Sequence, residues 1–185
     1  MAQTPSTMLP LGTRAPAFTL PDTVSGRNLG IEQLKSDKAT VVMFICNHCP
    51  FVKHVQQELV RLADDYRRQG VSFIAISSND AAAYPDDAPD RMKQVAATLG
   101  YPFPYLYDET QQVARAYQAA CTPDFFVFDR TLRLAYRGQL DDSRPGNGKP
   151  VTGRDIRAAL DALLAGRPVS PDQKPSIGCN IKFRK

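Results

Sequence analysis

The segment from Val41 to Val55, VVMFICNHCPFVKHV, constrains the fold of this chain most strongly. An apolar run rich in β-branched residues stops at a Cys-x-x-Cys formed by Cys46 and Cys49, and Pro50 follows at once. Proline suits the first position of a helix, and an amphipathic helical pattern begins there. The sequence therefore predicts a buried strand that leads directly into a helix, with a thiol at the helix N-terminus.

A cysteine at such a junction has a physical reason to be reactive. The thiolate is the nucleophile, and free backbone NH groups and the helix dipole lower a thiol pKa from about 8.5 to roughly 3.5–7.5. We therefore interpret Cys49 as an attacking thiolate, against the alternative of a buried structural thiol.

The elements around this junction predict an α/β sandwich. Residues 39–45 and 71–77 are apolar runs typical of strands covered on both faces, and the helix between them, about 50–69, makes the two strands parallel. Other strands are predicted at 103–107, 124–129 and 134–138, and helices at 31–34, 91–99, 109–119 and 152–164. This order indicates a mixed central sheet with helices on both faces.

Length and composition favour one domain over residues 1–185, since 43% hydrophobic and 23% charged residues are typical of a globular chain. Residues 9–30 are rich in proline and glycine and predict a β-hairpin that covers a sheet edge, with its turn at Ser25 and Gly26. A core at 39–166 follows, and 167–185 form a proline-containing C-terminal tail.

Charge and hydropathy exclude several classes of function. The net charge of +4 is concentrated between Arg167 and Lys185, where five basic residues accompany one acid, so nucleic-acid binding is not expected. A basic patch for an acidic protein partner is the alternative there. No run reaches the roughly 18 apolar residues of a membrane span, and the first ten residues lack the pattern of a secretory signal. We expect a cytoplasmic protein with no membrane partner, whose four cysteines are catalytic or metal-binding rather than a disulfide framework.

The element order, the thiol at the first strand-to-helix junction and Thr122-Pro123 before the strand DFFVFD resemble the thioredoxin superfamily. The segment GTRAPAFTLPD at 12–22 is similar to the start of the peroxiredoxin and redoxin (AhpC/TSA-related) branch. With SIGCNIK at 176–182, the chain most resembles a peroxiredoxin-like group of thioredoxin-fold proteins. The resemblance implies a thioredoxin fold over nearly the whole chain.

Within this resemblance, Phe44 fixes the register of the cysteines. In thioredoxins the strand's phenylalanine lies five residues before the nucleophilic cysteine, and Phe44 and Cys49 have that spacing. Cys49 therefore takes the nucleophile's position, Val52 takes the place of the usual second cysteine, and Cys46 lies at the strand end. The buried acid that thioredoxins place just before the phenylalanine is Met43 here.

The usual peroxidase motif of the family, Pro-x-x-x-Thr/Ser-x-x-Cys, is not matched. Counting back from Cys49 puts Cys46 at the hydroxyl position and Val42 at the proline position; counting back from Cys46 puts Met43 and Ala39 there. An ordinary peroxidase is therefore not expected. An unconventional one, in which Cys49 passes through a sulfenic acid, stays as an alternative.

The residues around Cys49 each have two interpretations. Cys46 is either a resolving thiol that forms a disulfide with Cys49 or a small core residue. His48 either lends charge or a proton to Cys49 or is a surface residue, and we place it with Pro50 in the substrate groove. A metal on Cys46, Cys49 and His54 would have ligands from both a strand and a helix, so we expect no metal and no bound cofactor.

The resemblance also assigns the segment around Thr122-Pro123. These residues match the superfamily's cis-proline and are implied to shape the thiol-substrate groove. Cys121 is then near Cys49, either as a third redox thiol or as a buried small residue. Cys179 pairs with Cys121, reaches the Cys49 site as a distal resolving thiol, or packs without redox work.

Together these features predict a thiol-disulfide oxidoreductase. Cys49 attacks a substrate disulfide to give a mixed disulfide, and a second thiol, first of all Cys46, releases it. The resemblance implies that electrons come from a thioredoxin or another small dithiol partner. The alternatives are the unconventional peroxidase, acting on a peroxide, and a redox-inactive module that uses its groove to hold a partner.

Overall fold

The computed structural model describes residues 3–184 of the chain. The strands are β1 Gln3–Pro5, β2 Thr19–Pro21, β3 Asn28–Gly30, β4 Ala39–Phe44, β5 Val71–Ser77, β6 Tyr105–Tyr107, β7 Cys121–Thr122, β8 Asp124–Asp129, β9 Leu134–Gly138 and β10 Ile177–Asn180. The α-helices are α1 Ile31–Leu34, α2 Pro50–Arg67, α3 Pro89–Leu99, α4 Gln112–Ala116 and α5 Arg154–Leu164, and a 3-10 turn lies at Pro85–Asp87.

The central sheet has five strands in the order β6-β5-β4-β8-β9. β4, β5 and β6 are parallel, whereas β8 and β9 are antiparallel to their neighbours. Buried side chains of α2, α3 and α5 pack on one face, and those of α1 and α4 pack on the other. The predicted α/β sandwich, with a mixed sheet and helices on both faces, is confirmed.

The β4–α2 junction follows from the local sequence. All six residues of β4 are buried, because the strand has hydrogen-bonded neighbours on both sides and helices on both faces. Pro50 is the first residue of α2, and the Lys53 NH makes a 3.0 Å hydrogen bond to the Cys49 carbonyl. The apolar face of α2, which includes Leu59 and Leu62, is fully buried, and each such side chain contributes about 1.5–3 kcal/mol.

The N-terminal hairpin covers one edge of the central sheet. β2 and β3 pair antiparallel, with Ser25 and Gly26 in the connection as predicted, and Gly26 has a φ of +73° that favours glycine. Asp22, at the end of β2, bridges to Leu106 of the edge strand β6. The hairpin therefore shields the backbone groups of β6 from pairing with another chain.

The C-terminal tail contains one strand. Residues 177–180 form β10, which lies between β1 and β7 in a second, antiparallel sheet. A Cβ on Gly178 would lie 1.9 Å from the Thr122 carbonyl oxygen, so only glycine permits this approach. The register pairs Cys179 with Thr122. The tail is thereby fixed beside the Thr122-Pro123 segment.

Several predicted boundaries were wrong by a few residues. The helix predicted at 109–119 is limited to Gln112–Ala116, because the Asp108 carboxylate accepts hydrogen bonds from the NH groups of Val113 and Ala114 at 3.4 and 2.9 Å. Gln111 has a φ of +63°, which is not helical. Among residues 3–184, no helix is long and apolar enough to cross a membrane.

Candidate active site

Cys49 lies at the N-terminus of α2, beside two other elements, β7 and β10. Its side chain is fully buried. Its Sγ is 2.9 Å from Cys179 Sγ of β10 and 3.3 Å from the carbonyl oxygen of Thr122. The Thr122–Pro123 peptide bond is cis, and this segment faces the sulfur. The fold thus brings two segments that are distant in sequence against the thiol at the start of α2.

The surroundings of Cys49 favour its thiolate. A hydrogen bond from the Cys46 thiol is the largest cause that lowers the pKa of Cys49 to about 4; burial opposes it. The Cys179 thiol, Thr122 and the Val52 NH in the first turn of α2 lower the pKa further. At neutral pH the sulfur is therefore a thiolate, the form that attacks disulfides and peroxides.

Cys179 is the neighbouring thiol. Burial, followed by the hydrogen bond to Cys49, raises the pKa of Cys179 to about 12. Cys179 therefore carries a proton and donates it in the hydrogen bond to the Cys49 thiolate. Of the roles considered for Cys179 from sequence, the structure realises the approach to Cys49.

Cys46 lies two residues after the end of β4, and its side chain is 2% exposed. Its Sγ lies 3.5 Å from the Thr122 hydroxyl oxygen. The hydrogen bond to Cys49 raises the pKa of Cys46 well above the ordinary value, and burial and the negative charge of Asp87 raise it further. Cys46 is therefore a protonated thiol.

Cys121 is buried but bonded differently. Its thiol is 3.7 Å from the Pro123 carbonyl oxygen, and burial and the nearby Asp124 raise the pKa of Cys121. These contacts leave it a neutral thiol of the core. They support the interpretation of Cys121 as a buried small residue.

A hydrogen-bonded cluster that the sequence did not reveal holds the Cys46–Cys49 loop. The buried Asp87 carboxylate accepts bonds from the Asn47 NH at 2.7 Å, the His48 NH at 3.2 Å and Asn79 Nδ2 at 2.8 Å. It also bonds His48 Nδ1 at 2.6 Å, and the His48 ring stacks on Tyr84 at 5.3 Å. Asp87 thus fixes the loop and the orientation of His48.

This cluster bears on the metal prediction. Cys46, His48 and Asp87 each place one potential ligand atom within 4.8 Å of the others. However, the carboxylate and imidazole bond to each other, and Asp87 already accepts the bonds that hold the loop. His54 instead contacts Ser143 Oγ at 2.7 Å. The arrangement is that of a hydrogen-bonded network, and a site without metal stays a prediction.

The predicted substrate groove includes His48, Pro50, Thr122 and Pro123. Thr122 and Pro123 are buried, and β10 pairs with Thr122. His48 is partly exposed and Pro50 is exposed at the start of α2. The strand that carries Cys179 lies beside Thr122, and the substrate groove stays a prediction.

Asp124 is a second buried acid that sequence analysis missed. Its Oδ1 accepts a 2.7 Å bond from the Ser6 hydroxyl, while Oδ2 has no hydrogen-bond partner among the described residues 3–184. Burial raises the pKa of Asp124 to about 7. Ser6 also bonds Ser176, which precedes β10, so the acid lies under the second sheet.

Replacing Asp124 with asparagine is expected to stabilise the protein at high pH. The pKa of Asp124 is about 4 in the unfolded chain and about 7 in the folded protein. The stabilisation from protonated Asp124 is therefore complete below about pH 4 and is lost as the pH rises through about 7. Asparagine avoids burying the charge, so Asp124→Asn should exceed wild type in unfolding free energy by about 4 kcal/mol at most near pH 8.

The measurement is denaturant unfolding of both proteins at about pH 5 and pH 8. The lowered pKa of Cys49 acts oppositely, since its contribution is lost as the pH falls towards about 4, so only the difference between the two proteins isolates Asp124. An equal difference at both pH values would contradict the prediction.

The mixed sheet, the cysteine at the start of α2 and the cis-proline segment facing it define a thioredoxin-fold thiol protein. A model of the AhpC/TSA family matches residues 11–137, more than half of the chain. The chain belongs to the AhpC/TSA family. Membership in this family supports a general thiol redox function. No curated protein sequence gave a significant match.

Solved structures give the same fold. An uncharacterised conserved protein from Geobacillus kaustophilus is 67% identical, with a TM-score of 0.98 and coverage of 100% of this chain and 97% of the other. A hypothetical protein from Sinorhizobium meliloti 1021 is 51% identical, with a TM-score of 0.95 and 98% coverage of both chains. A thioredoxin-family thiol:disulfide interchange protein from Chlorobium tepidum TLS, at 19% identity, covers 83% of this chain and 97% of its own, with a TM-score of 0.64. These similarities confirm the thioredoxin fold.

Proposed function

We propose that this protein is a thiol-disulfide oxidoreductase whose redox couple is Cys49 and Cys179. The observation that carries the proposal is the 2.9 Å contact between the two sulfur atoms. Exchange needs an attacking thiolate and a second thiol within reach, and the two pKa values supply one of each. Cys179 therefore replaces Cys46 as our candidate for the resolving thiol.

The reaction has three balanced steps. The Cys49 thiolate attacks one sulfur of a substrate disulfide; the substrate bond breaks, one substrate thiolate leaves, and a mixed disulfide forms on Cys49. Cys179 then attacks Cys49 Sγ, and the bond between Cys49 and the substrate breaks. The proton of Cys179 goes to the second substrate thiolate, which leaves as a thiol. A small dithiol protein reduces the resulting Cys49–Cys179 disulfide and is itself oxidised to a disulfide.

The proposed location is the cytoplasm, because a thioredoxin-like reductant works where dithiols are kept reduced. Because Cys49 is fully buried and β10 covers Thr122, a disulfide-bearing substrate reaches the sulfur only when β10 moves.

The burial of Cys49 favours a second candidate, an unconventional peroxidase, since a small peroxide needs less opening than a protein disulfide. The thiolate would attack the peroxide O–O bond, releasing an alcohol or water and leaving a sulfenic acid on Cys49. Cys179 would condense with it, release water and form the same Cys49–Cys179 disulfide.

Turnover with dithiothreitol as reductant tests the proposal. In one arm an aromatic disulfide that releases a coloured thiolate is the oxidant, and in the other hydrogen peroxide is. We expect faster disulfide reduction than in protein-free buffer, with Cys121→Ser as the matched control that keeps the rate. Turnover with peroxide alone would favour the peroxidase, and no acceleration in either arm would favour a redox-inactive binding module.

A further inference from the structure

The C-terminal segment that follows β10 is held in place at Lys182. Its NH donates a 2.8 Å hydrogen bond to Asn79 Oδ1, and its carbonyl oxygen accepts bonds from the Asp80 NH at 2.9 Å and from Gln111 Nε2 at 2.8 Å. Lys182 lies three residues after Cys179. These bonds therefore fix the end of the segment that carries the proposed resolving thiol.

Asn79 also contacts the loop before α2. Its Nδ2 donates a 2.8 Å bond to Asp87 Oδ2, and Asp87 Oδ1 accepts the NH groups of Asn47 and His48 at 2.7 and 3.2 Å. Asn79 is 2% exposed, and Asp87 is fully buried. One buried side chain therefore joins the loop before the nucleophile to the segment after β10.

The topology places Asn79 at the same edge of the sheet as the cysteine loop. β4 and β5 are parallel neighbours, with Phe44 opposite Ile76, so their C-terminal ends lie side by side. β4 leads into the loop before α2, and Asn79 comes two residues after the last residue of β5. A side chain at this position is therefore next to the loop.

The chemistry of the link requires an amide side chain. On one side its partner is a backbone NH, which needs an acceptor, and on the other side its partner is a carboxylate, which needs a donor. Asparagine offers both, whereas an ionised aspartate of the same size offers only acceptors. Because a buried polar group without its partner is strongly disfavoured, the two contacts depend on the identity of residue 79.

We propose that Asn79 is a positioning residue that holds Cys179 against Cys49 by tying the C-terminal segment to the active-site loop. The proposal rests on the proposed function, in which Cys179 resolves the mixed disulfide on Cys49. Asn79 exchanges no proton or electron with either sulfur. It acts on their separation, which is 2.9 Å in this structure.

Other contacts of the same segment set the size of the expected effect. The Ile181 NH bonds the Ala120 carbonyl oxygen at 3.1 Å, and β10 pairs with β1 and β7. Loss of the Asn79 link should therefore shift Cys179 without releasing the strand. A displacement of about 1 Å at a reacting group lowers a rate by up to roughly 100-fold.

The test separates the two half-reactions in single turnovers with the aromatic disulfide. Release of the first coloured thiolate reports attack by Cys49, and release of the second reports resolution by Cys179. Asn79→Asp keeps an acceptor for the Lys182 NH but turns a second carboxylate towards Asp87, which breaks the link. We expect the first rate to stay within about twofold and the second to fall about tenfold or more.

Asp87→Asn in the same chain supplies the matched rescue. The double variant exchanges the amide and the carboxylate, so the donor is at position 87 and the charge of the pair is unchanged. Its oxygen still accepts the Asn47 and His48 NH groups. Resolution should return to within about threefold of the wild-type rate. Resolution at the wild-type rate in Asn79→Asp, or no recovery in the double variant, would contradict the proposal.

Tyr66→Phe is the control for destabilisation in general. It removes the 2.6 Å bond from the Tyr66 hydroxyl to Asp161 near the other end of α2. Both half-reactions should keep their wild-type rates. If the second step slows here as much as in Asn79→Asp, resolution responds to lost stability of any kind, and Asn79 has no specific positioning role.

Hydrogen exchange of the same proteins separates this proposal from the proposed function. The backbone amides of residues 177–182 should exchange faster in Asn79→Asp than in wild type, and the double variant should restore their protection. If Cys179→Ser releases the second thiolate as fast as wild type, the proposed redox couple fails. The exchange of residues 177–182 then decides whether Asn79 holds this segment, and unchanged exchange in Asn79→Asp would show that it does not.

Discussion

Cys49→Ser is expected to abolish catalysed disulfide reduction, with a loss of roughly 1,000-fold or more in rate. A serine hydroxyl does not ionise at neutral pH, whereas Cys49, with a pKa of about 4, is a thiolate there. Serine is close to cysteine in size, so the packing at the start of α2 should survive. The measurement is the initial rate of reduction of the aromatic disulfide near pH 7.

The controls for this prediction come from the chain itself. Cys121→Ser makes the same chemical change at a buried thiol whose contact is a carbonyl oxygen, and it should keep the wild-type rate. In a single turnover, the rate at which Cys49 releases the first substrate thiolate should also be nearly flat above about pH 5, because the nucleophile is already ionised there. If Cys49→Ser reduces the aromatic disulfide at the wild-type rate, Cys49 is not the nucleophile.

Cys179→Ser is expected to stop the reaction at the mixed disulfide. Cys49 keeps its place at the helix N-terminus and still attacks, but the sulfur 2.9 Å away that would release the substrate is gone. Close to one equivalent of substrate thiol should stay bound to Cys49 after excess reagent is removed, and intact-protein mass spectrometry measures it. If the mixed disulfide is released as fast as in wild type, another thiol resolves it, and Cys46 becomes the first candidate.

Gly178→Ala provides the matched variant that keeps all four cysteines. Its added Cβ would lie 1.9 Å from the Thr122 carbonyl oxygen, so β10 has to move away from β7. Cys179 would leave its position, and the mixed disulfide should accumulate as in Cys179→Ser. If Gly178→Ala releases the mixed disulfide rapidly while Cys179→Ser accumulates it, release does not need the contact between Cys49 and Cys179 that this strand register provides.

The central βαβ unit could be predicted because its signals are local. The buried run of β4, Pro50 and the helical spacing after it are all contiguous in the sequence, and the register taken from Phe44 placed Cys49 at the helix N-terminus. Packing of α2 on the sheet then follows from its own apolar face.

The second sheet could not be predicted because its signals are not local. β10 has four residues, including a glycine, and its partners β1 and β7 lie far away in the sequence. A single sequence does not show that Cys179 meets Cys49 across 130 positions. The substrate groove is predicted from the resemblance, and although the resemblance includes the segment SIGCNIK at 176–182, it does not show that this segment forms a strand beside Thr122.

Asp87 and Asp124 were missed for a related reason. Asp87 belongs to the polar segment NDAAAYPDDAPD at 79–90, which contains several aspartates. Only the folded chain, in which Asp87 accepts hydrogen bonds from the Asn47 and His48 NH groups, distinguishes it from the others. Asp124 is the first residue of the apolar strand β8, and the sequence does not show that this side chain is only 1% exposed. Burial of a single polar side chain depends on the tertiary contacts around it.

The most direct test of the redox couple is a map of the disulfides that form in wild-type protein under mild oxidation. The remaining thiols are blocked, the protein is digested, and mass spectrometry identifies the linked peptides. The 2.9 Å contact predicts a bridge between Cys49 and Cys179, with Cys46 and Cys121 recovered as free thiols. A bridge between Cys46 and Cys49, or no bridge to Cys179, would contradict it.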